Sequence, residues 1–481
     1  MTARAVTLVS IPVYLRFLSA HDFGIQTIAL VNEQVLVILS GTAITNAVAK
    51  YYSDARRLGR GEGEVVGTAT TGLAVLGIAL AVIWELAAAP IAGATLDETG
   101  TSVLVTRLIG ISFVASLFTN LALALCQLRA EILRYSVLNI AKYVSAFALG
   151  LLFLWPLGMG VVGIILGWTI ASVGVAAAAL LWLARAFALR VDGAILRRLI
   201  AYGGPFVPAA LLMLLLNGSD RYILRRLADL SAVGVYATAY TAASAFNLLL
   251  VTPFKQAWAP LMWKMRERPD EAALHRRVLR YYVTAMVLAL VATTVASPLL
   301  MTILAGQRPD FVAASFVIPL ICLGFVLFGT YDVLAAGYFF AARTIYYTIT
   351  VAASAALDVA LNLVLDPAIG LWGTAVAFAV SYLLFAALSG VFGARFFPQG
   401  HEWPRLATAA GLGIVAAGVF LYLKTVEPML ALVIGVALVA SLPALFVLTA
   451  VLEREELGAL GAAVRRIGAR VRPLRTAGRE G

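Results

Sequence analysis

The sequence predicts an all-α polytopic membrane protein with about 14 transmembrane helices, and three observations carry that prediction. First, 62% of the 481 residues are hydrophobic and only 13% charged, with a mean hydropathy of +0.95; about 25% charged is usual for a soluble domain. Second, apolar runs long enough to cross a bilayer as helices recur along the whole chain. They are continuous, whereas barrel strands alternate polar and apolar residues in short segments. Third, most of the charges sit between the runs. The net charge of +11 therefore reads as membrane topology and excludes a nucleic-acid partner.

The runs fall at 3–18, 24–50, 65–90, 102–127, 133–156, 160–184, 204–227, 232–260, 280–305, 311–337, 343–366, 370–394, 405–424 and 429–452. The first is short and has the outline of a signal peptide, with Arg4 ahead of it and Ser19-Ala20 as a cleavage site. The internal repeat described below argues that it is retained. The stretch Gly203–Trp263 holds two spans joined by a tight turn at Ser231–Gly234. It carries Asp220, Arg221, Arg225, Arg226 and Lys255 among Leu and Ala, and such charges need water or partners inside a membrane. Between spans eight and nine the polar stretch Lys264–Arg277 predicts a cytoplasmic surface helix.

Lys and Arg accumulate in alternate connections: Arg56, Arg57 and Arg60; Arg129 and Arg134; Arg190, Arg197 and Arg198; Lys264 to Arg280; Arg343; Arg395 and Arg405; then the basic tail. This bias places both termini in the cytoplasm, as an even number of spans requires. Cys126 and Cys322 fall in separate spans, and His21, His275 and His401 are scattered in predicted loops. Neither set has disulfide or metal-ligand spacing, so no metal is expected.

A shift of 210 residues lays Gly24 on Gly234, Arg16 on Arg226, Thr42 on Thr252, Ala47 on Ala257, and Gly160 and Gly163 on Gly370 and Gly373. One offset thus holds from span one to span six, and two parallel copies of a six-helix unit follow. The expected organisation is a first lobe at 1–189, a linker at 190–202, a second lobe at 203–397, two additional helices at 398–452 and a basic cytoplasmic tail at 453–481. Transporters built from such parallel repeats hold their substrate between the lobes.

Charges within spans should face protein or water. Glu33 lies about 14 Å along its span and Lys142 about 12 Å along its own, at 1.5 Å per residue. Arg107 lies about two turns from the outer surface, Asp220-Arg221 in the outer third of span seven, and Asp358 in an outer half. Glu85, Lys255 and Asp332 come near helix ends, where they can pair or snorkel. Two arrangements fit Glu33 and Lys142: a wet inter-lobe cavity, or a neutral pair inside the first lobe. Guanidinium binds phosphate oxygens as a fork, so Arg107, Arg221 and Arg16, together with Lys142, suit an anionic headgroup. A pyrophosphate-linked glycan lipid, an anionic drug and a nucleotide all meet that description. No GxxxxGK[ST] run and no nucleophile–base set is present, so neither ATP hydrolysis by this chain nor an enzymatic activity is expected.

IPVYLRFLSAHDFGIQTIAL, with Leu18, Ser19, Phe23 and Gly24, resembles the first hairpin of the polysaccharide-transporter (Wzx-type flippase) family within the multidrug/oligosaccharidyl-lipid/polysaccharide exporter superfamily. YGGPFVPAALLMLLLNGSDRYIL, with Pro205, Pro208, Asn217, Ser219, Asp220 and Arg221, resembles its span-seven signature, and VGVYATAY its span-eight opening. Only residues 1–18 precede Ser19, fewer than the first span of that family. The resemblance covers roughly residues 8 to 450. It implies two six-helix bundles in a V plus two extra C-terminal helices, in the cytoplasmic (inner) membrane, acting as a monomer. The implied function is moving an undecaprenyl-diphosphate-linked oligosaccharide to the outer leaflet. Arg16, Arg107 and Arg221 would contact phosphate or acidic sugar, and Glu33 or Asp220, with Asp358 as a further acidic candidate, would couple transport to protons or sodium. The implied partners are the lipid-linked anionic glycan, membrane lipids and other polysaccharide-assembly membrane proteins. A cation-coupled multidrug exporter, a polytopic glycan polymerase or ligase, and an inactive scaffold that recruits other envelope proteins are the competing classes. The first should show acidic cavity residues, and the second a large catalytic outer loop, whereas the outer connections here are short.

Overall fold

The computed structural model describes residues 6, 10–54, 61–184, 192–266, 268–306 and 308–453. Arg4, Arg56, Arg57, Arg60, Arg190 and the basic tail beyond Glu453 lie outside them. The described residues are helical, without a strand. The principal helices are α1 (Ala20–Asp54), α2 (Glu62–Leu86), α3 (Gly100–Leu128), α4 (Ile132–Leu154), α5 (Gly160–Ala184), α6 (Gly193–Gly203), α7 (Phe206–Leu227), α8 (Leu230–Met265), α9 (Glu271–Ala305), α10 (Val317–Leu334), α11 (Ile345–Ile369), α12 (Leu371–Phe396), α13 (Trp403–Val426) and α14 (Pro428–Leu448). Twelve helices among the described residues are long and apolar enough to cross a membrane, and the bent pair α6–α7 makes thirteen. Of the first expected span, 3–18, only Val6 and 10–18 are described: residues 10–14 are helical and a turn follows.

Helix is the form these runs must take, because backbone groups have no water partner in hydrocarbon. The hydroxyls inside them bond back to the preceding turn, as Ser40 does to the Leu36 carbonyl at 2.7 Å and Thr70 to that of Val66 at 2.8 Å. Helix starts are capped by side chains. The Ser19 hydroxyl accepts the Asp22 amide at 3.0 Å to open α1, and Asp229 accepts that of Ala232 at 2.7 Å to open α8. These two caps are repeat mates under the 210-residue shift. So are Gly160 and Gly370, each at φ +57° just where α5 and α12 begin, a conformation that side chains with a Cβ disfavour.

The stretch expected as a linker, 190–202, carries a helix: Asp192 caps α6, which meets α7 at a 42° bend around Gly204-Pro205. One expectation about connections is corrected. The surface helix expected at Lys264–Arg277 is absent as a separate element. α8 runs on to Met265 and α9 already begins at Glu271, so His275, Arg276 and Arg277 belong to a long membrane helix. His275 is fully buried there, edge-on to Trp258, Phe340 and Phe397.

Helices α1 to α5 pack chiefly on one another, as do α7 to α12, and α13 and α14 pack together on α9. The two groups meet where α1 lies against α8 and α7. At the start of the α1–α8 crossing a Cβ on Gly24 would fall 2.0 Å from the Leu230 carbonyl oxygen, and one on Gly234 would fall 1.9 Å from that of Ala20. Gly24 and Gly234 are repeat mates, and so are Ala20 and Leu230. The contact is reciprocal, as at a two-fold axis. Small residues let backbones approach this closely in a membrane. The outward faces, such as Val75, Ile78 and Val82 of α2 and Ile414, Val433 and Val436 of α13 and α14, are apolar and exposed, as a lipid-facing surface must be.

Overpacking a tight contact costs about 1–3 kcal/mol, so Gly24→Ala and Gly234→Ala should each lower the thermal midpoint in detergent. Gly418→Ala, whose Cβ would meet nothing within 4 Å, serves as the control. Midpoints equal to the control would show that the crossing tolerates a methyl group.

Candidate functional site in the cavity between the helix groups

A cavity of about 350 Å³ opens where the two groups face each other. Val6, Ser10, Ile11 and Tyr14 line it from the N-terminal segment, and Phe23, Gln26, Thr27, Leu30, Val31 and Gln34 from α1. Tyr143, Ala146 and Phe147 of α4 and Ile164, Ile165 and Trp168 of α5 complete the side of the first group. The second group contributes Leu214, Asn217 and Arg221 of α7 with Ala237, Tyr240 and Thr241 of α8. Repeat mates line it from both groups: Thr27 and Ala237, Leu30 and Tyr240, Val31 and Thr241, and Ile11 and Arg221.

Among the described residues, Arg221 is the single charged member of that lining. Its Nη1 donates to Asp220 Oδ1 at 3.0 Å and to the Asn217 carbonyl at 2.7 Å. The guanidinium lies 4.5 Å over the Tyr240 ring. Asn217 is itself held, its Oδ1 accepting from the Tyr382 hydroxyl at 2.7 Å and its Nδ2 donating to the Met213 carbonyl at 2.7 Å. The head of Arg221 is thus fixed by α7 and α8 before anything binds, which lowers the ordering cost of a ligand contact.

The other expected cations do not line the cavity. Arg107 forms an ion pair with Glu85 at 3.1 Å, both side chains about half exposed at 55% and 52%. Its turn of α3 packs toward α2, where Trp84 Nε1 donates to the Thr106 carbonyl at 2.8 Å. Arg16 is exposed in the turn before α1. Lys142 is buried behind the wall: its Nζ donates to Ser116 Oγ at 2.9 Å, which in turn donates to Glu33 Oε1 at 2.6 Å. The neutral pair inside the first helix group is therefore the arrangement adopted by Glu33 and Lys142, with a serine between them. Glu33 Oε2 also accepts from Trp168 Nε1 at 2.7 Å.

Asp220 and Asp358 come together inside the second group. Asp358 Oδ2 accepts from Ser219 Oγ at 2.9 Å and from Asn362 Nδ2 at 3.2 Å. Asp220 Oδ2, Asp358 Oδ1 and Asn362 Oδ1 are buried without a hydrogen-bond partner among the described residues. Buried polar oxygens are costly to leave unmade, so this cluster has acceptor capacity for a proton or a small cation. Among the described residues no group of three or more His, Cys, Asp or Glu is placed to hold a metal.

The description "Polysaccharide biosynthesis protein" matches residues 1–266. The chain belongs to that family. Its fold is similar to that of a protein described as lipid II flippase MurJ in an inward closed conformation, with a TM-score of 0.74 at 10% identity over 94% of this chain and 98% of that one. It is also similar to an inward-facing multidrug resistance MATE family transporter of the MOP superfamily: TM-score 0.64, 14% identity, 85% and 96% covered. The MATE multidrug transporter DinF-BH gives a TM-score of 0.59 at 19% identity, with 83% and 93% covered. At such identities the likeness is one of fold. No curated protein matches the chain in sequence.

In this polysaccharide biosynthesis protein the wall residues Gln26, Gln34, Tyr143, Trp168 and Tyr240 are absent from the sequence-based set. Uncharged polar and aromatic residues inside apolar runs carry no penalty large enough to single them out. The one usable signal was Glu33 with Lys142, since a buried neutral pair must be satisfied by neighbours, and those neighbours lead to Trp168.

Breaking a buried pair by removing one partner costs about 3–5 kcal/mol. Arg221→Met should therefore destabilise the protein strongly, and the Asp220→Asn/Arg221→Met double variant should recover most of the loss in detergent melts. Additive losses would mean that the two side chains are not energetically coupled.

Proposed function

We propose that the protein carries an undecaprenyl-diphosphate-linked oligosaccharide across the cytoplasmic membrane for surface polysaccharide synthesis. The observation that carries this reading is the cavity itself, a largely apolar chamber between two helix groups with a few amides and hydroxyls and one fixed guanidinium among its described residues. Arg221 would take phosphate oxygens, as guanidinium does in a fork. The amides and hydroxyls around it would take the glycan, while the polyprenyl chain stays in the bilayer. The two repeated groups would act as lobes that rock about the α1–α8 crossing, in the manner of parallel-repeat transporters. Both termini would lie in the cytoplasm, and the chain would act as a monomer, without a cofactor of its own.

Asp220 and Asp358, with Asn362, would couple that motion to protons or sodium. Family and fold are those of transporters, which favours transport over catalysis. Among the described residues the cavity lining also lacks a carboxylate, which favours an anionic cargo over the cationic drugs of the competing reading.

Purified protein in proteoliposomes should expose a fluorescent undecaprenyl-diphosphate sugar to an external quencher. The Asp220→Asn/Arg221→Met variant, chosen because both charges go together, should slow this at least tenfold, while Arg16→Gln and Arg107→Gln should not. Full activity in the double variant would end the proposed role of Arg221. An imposed proton or sodium gradient should alter the wild-type rate and leave Asp358→Asn unmoved; equal responses would place coupling elsewhere.

A further inference from the structure

We propose that the Trp168 wall of the cavity is a sugar-stacking subsite, with Glu33 as the residue that positions the indole. The proposal rests on the transport reading above and names how the glycan part of the cargo is told from its phosphate. Trp168 sits 5.8 Å from Tyr143, ring centroid to centroid, at 66°, and both line the cavity. A pyranose ring has an apolar C–H face and a rim of hydroxyls. An aromatic wall with a polar handle fits the first, and side-chain amides, which both donate and accept, fit the second. Gln26 supplies such an amide from α1: the residue is only 9% exposed, it lines the cavity, and its buried Oε1 has no hydrogen-bond partner among the described residues.

The relay behind the wall explains why Glu33 is there. Glu33 holds the Trp168 indole N–H through one oxygen and Ser116 through the other, and Lys142 closes the chain while lying 4.8 Å from the Trp168 ring centre. The fold does not require this relay. Under the 210-residue shift Glu33 and Trp168, which lie on the helices where Gly24/Gly234 and Gly160/Gly370 anchor that register, fall on Ala243 and Phe378. There Phe378 is buried core, 1% exposed, packed against Phe325 and Tyr382. The same helical scaffold thus stands without the polar chain, and the half that has it turns its aromatic toward the cavity. An indole locked in one orientation loses less freedom on binding, which is how a positioning residue raises selectivity.

The test uses the full chain in nanodiscs and two probes, bare undecaprenyl diphosphate and undecaprenyl diphosphate bearing one N-acetylhexosamine. Wild type should bind the glycosylated lipid about tenfold more tightly than the bare one, a difference within reach of one well-packed aromatic contact. Trp168→Leu and the charge-neutral Glu33→Leu/Lys142→Met should bring that ratio to about one. Glu33→Gln/Lys142→Met keeps an acceptor for the indole and should keep the ratio. A ratio that persists in Trp168→Leu, or that is already one in wild type, overturns the subsite and leaves the transport reading standing. Failure of wild type to bind either lipid overturns both.

Discussion

The two helix groups are held to one another where α1 crosses α8, and the crossing exists because two glycines let each helix sit on the other's backbone. Gly24 meets the Leu230 carbonyl and Gly234 meets that of Ala20. Lipid supplies no hydrophobic force between helices, so packing at such points does the joining. Around the crossing, polar contacts bridge the same two groups. The Tyr222 hydroxyl donates to Asn32 Oδ1 at 2.7 Å, Arg225 Nε to the Leu96 carbonyl at 2.5 Å, and Arg308 Nη1 to the Leu18 carbonyl at 2.8 Å. The cavity lies beside this seam, so repeat mates contribute to its lining from both groups.

Duplication set the frame, and departures from it set the chemistry. Where the first copy has Ile11, the second has Arg221, so the chamber has a guanidinium on one side only. Where the second copy has Ala243 and Phe378, the first has Glu33 and Trp168, the two ends of its polar chain. The carboxylate cluster of Asp220 and Asp358 is likewise confined to the second group, its Ser10 and Ala148 counterparts being uncharged. A cargo with an anionic end and an uncharged, hydroxyl-rich end would meet a matching division in the chamber.

Neutralisation by neighbours governs the buried cations around the chamber. Arg221 has Asp220, Lys142 has Glu33 through Ser116, and Lys255 has Asp332 at 3.1 Å. In a medium of low dielectric an unpaired charge is far more costly than a paired one. The chamber consequently lacks the broadly positive wall that counting cations along the sequence suggests.

Hydropathy alone determined the helical class and the positions of most of the spans among the described residues, because the cost of an unsatisfied backbone in lipid leaves a continuous apolar run no other form. The repeat register was equally legible: Gly24 and Gly234 stand at one offset with Gly160 and Gly370, and each pair proved to do the same mechanical work in both halves. Tertiary structure alone decided which way each intramembrane charge faces. Arg107 and Arg221 look alike as arginines inside apolar runs, yet one turns to Glu85 on an outer flank and the other to the chamber. Helix rotation and the partners available on neighbouring helices settle that choice, and neither is encoded within a single span.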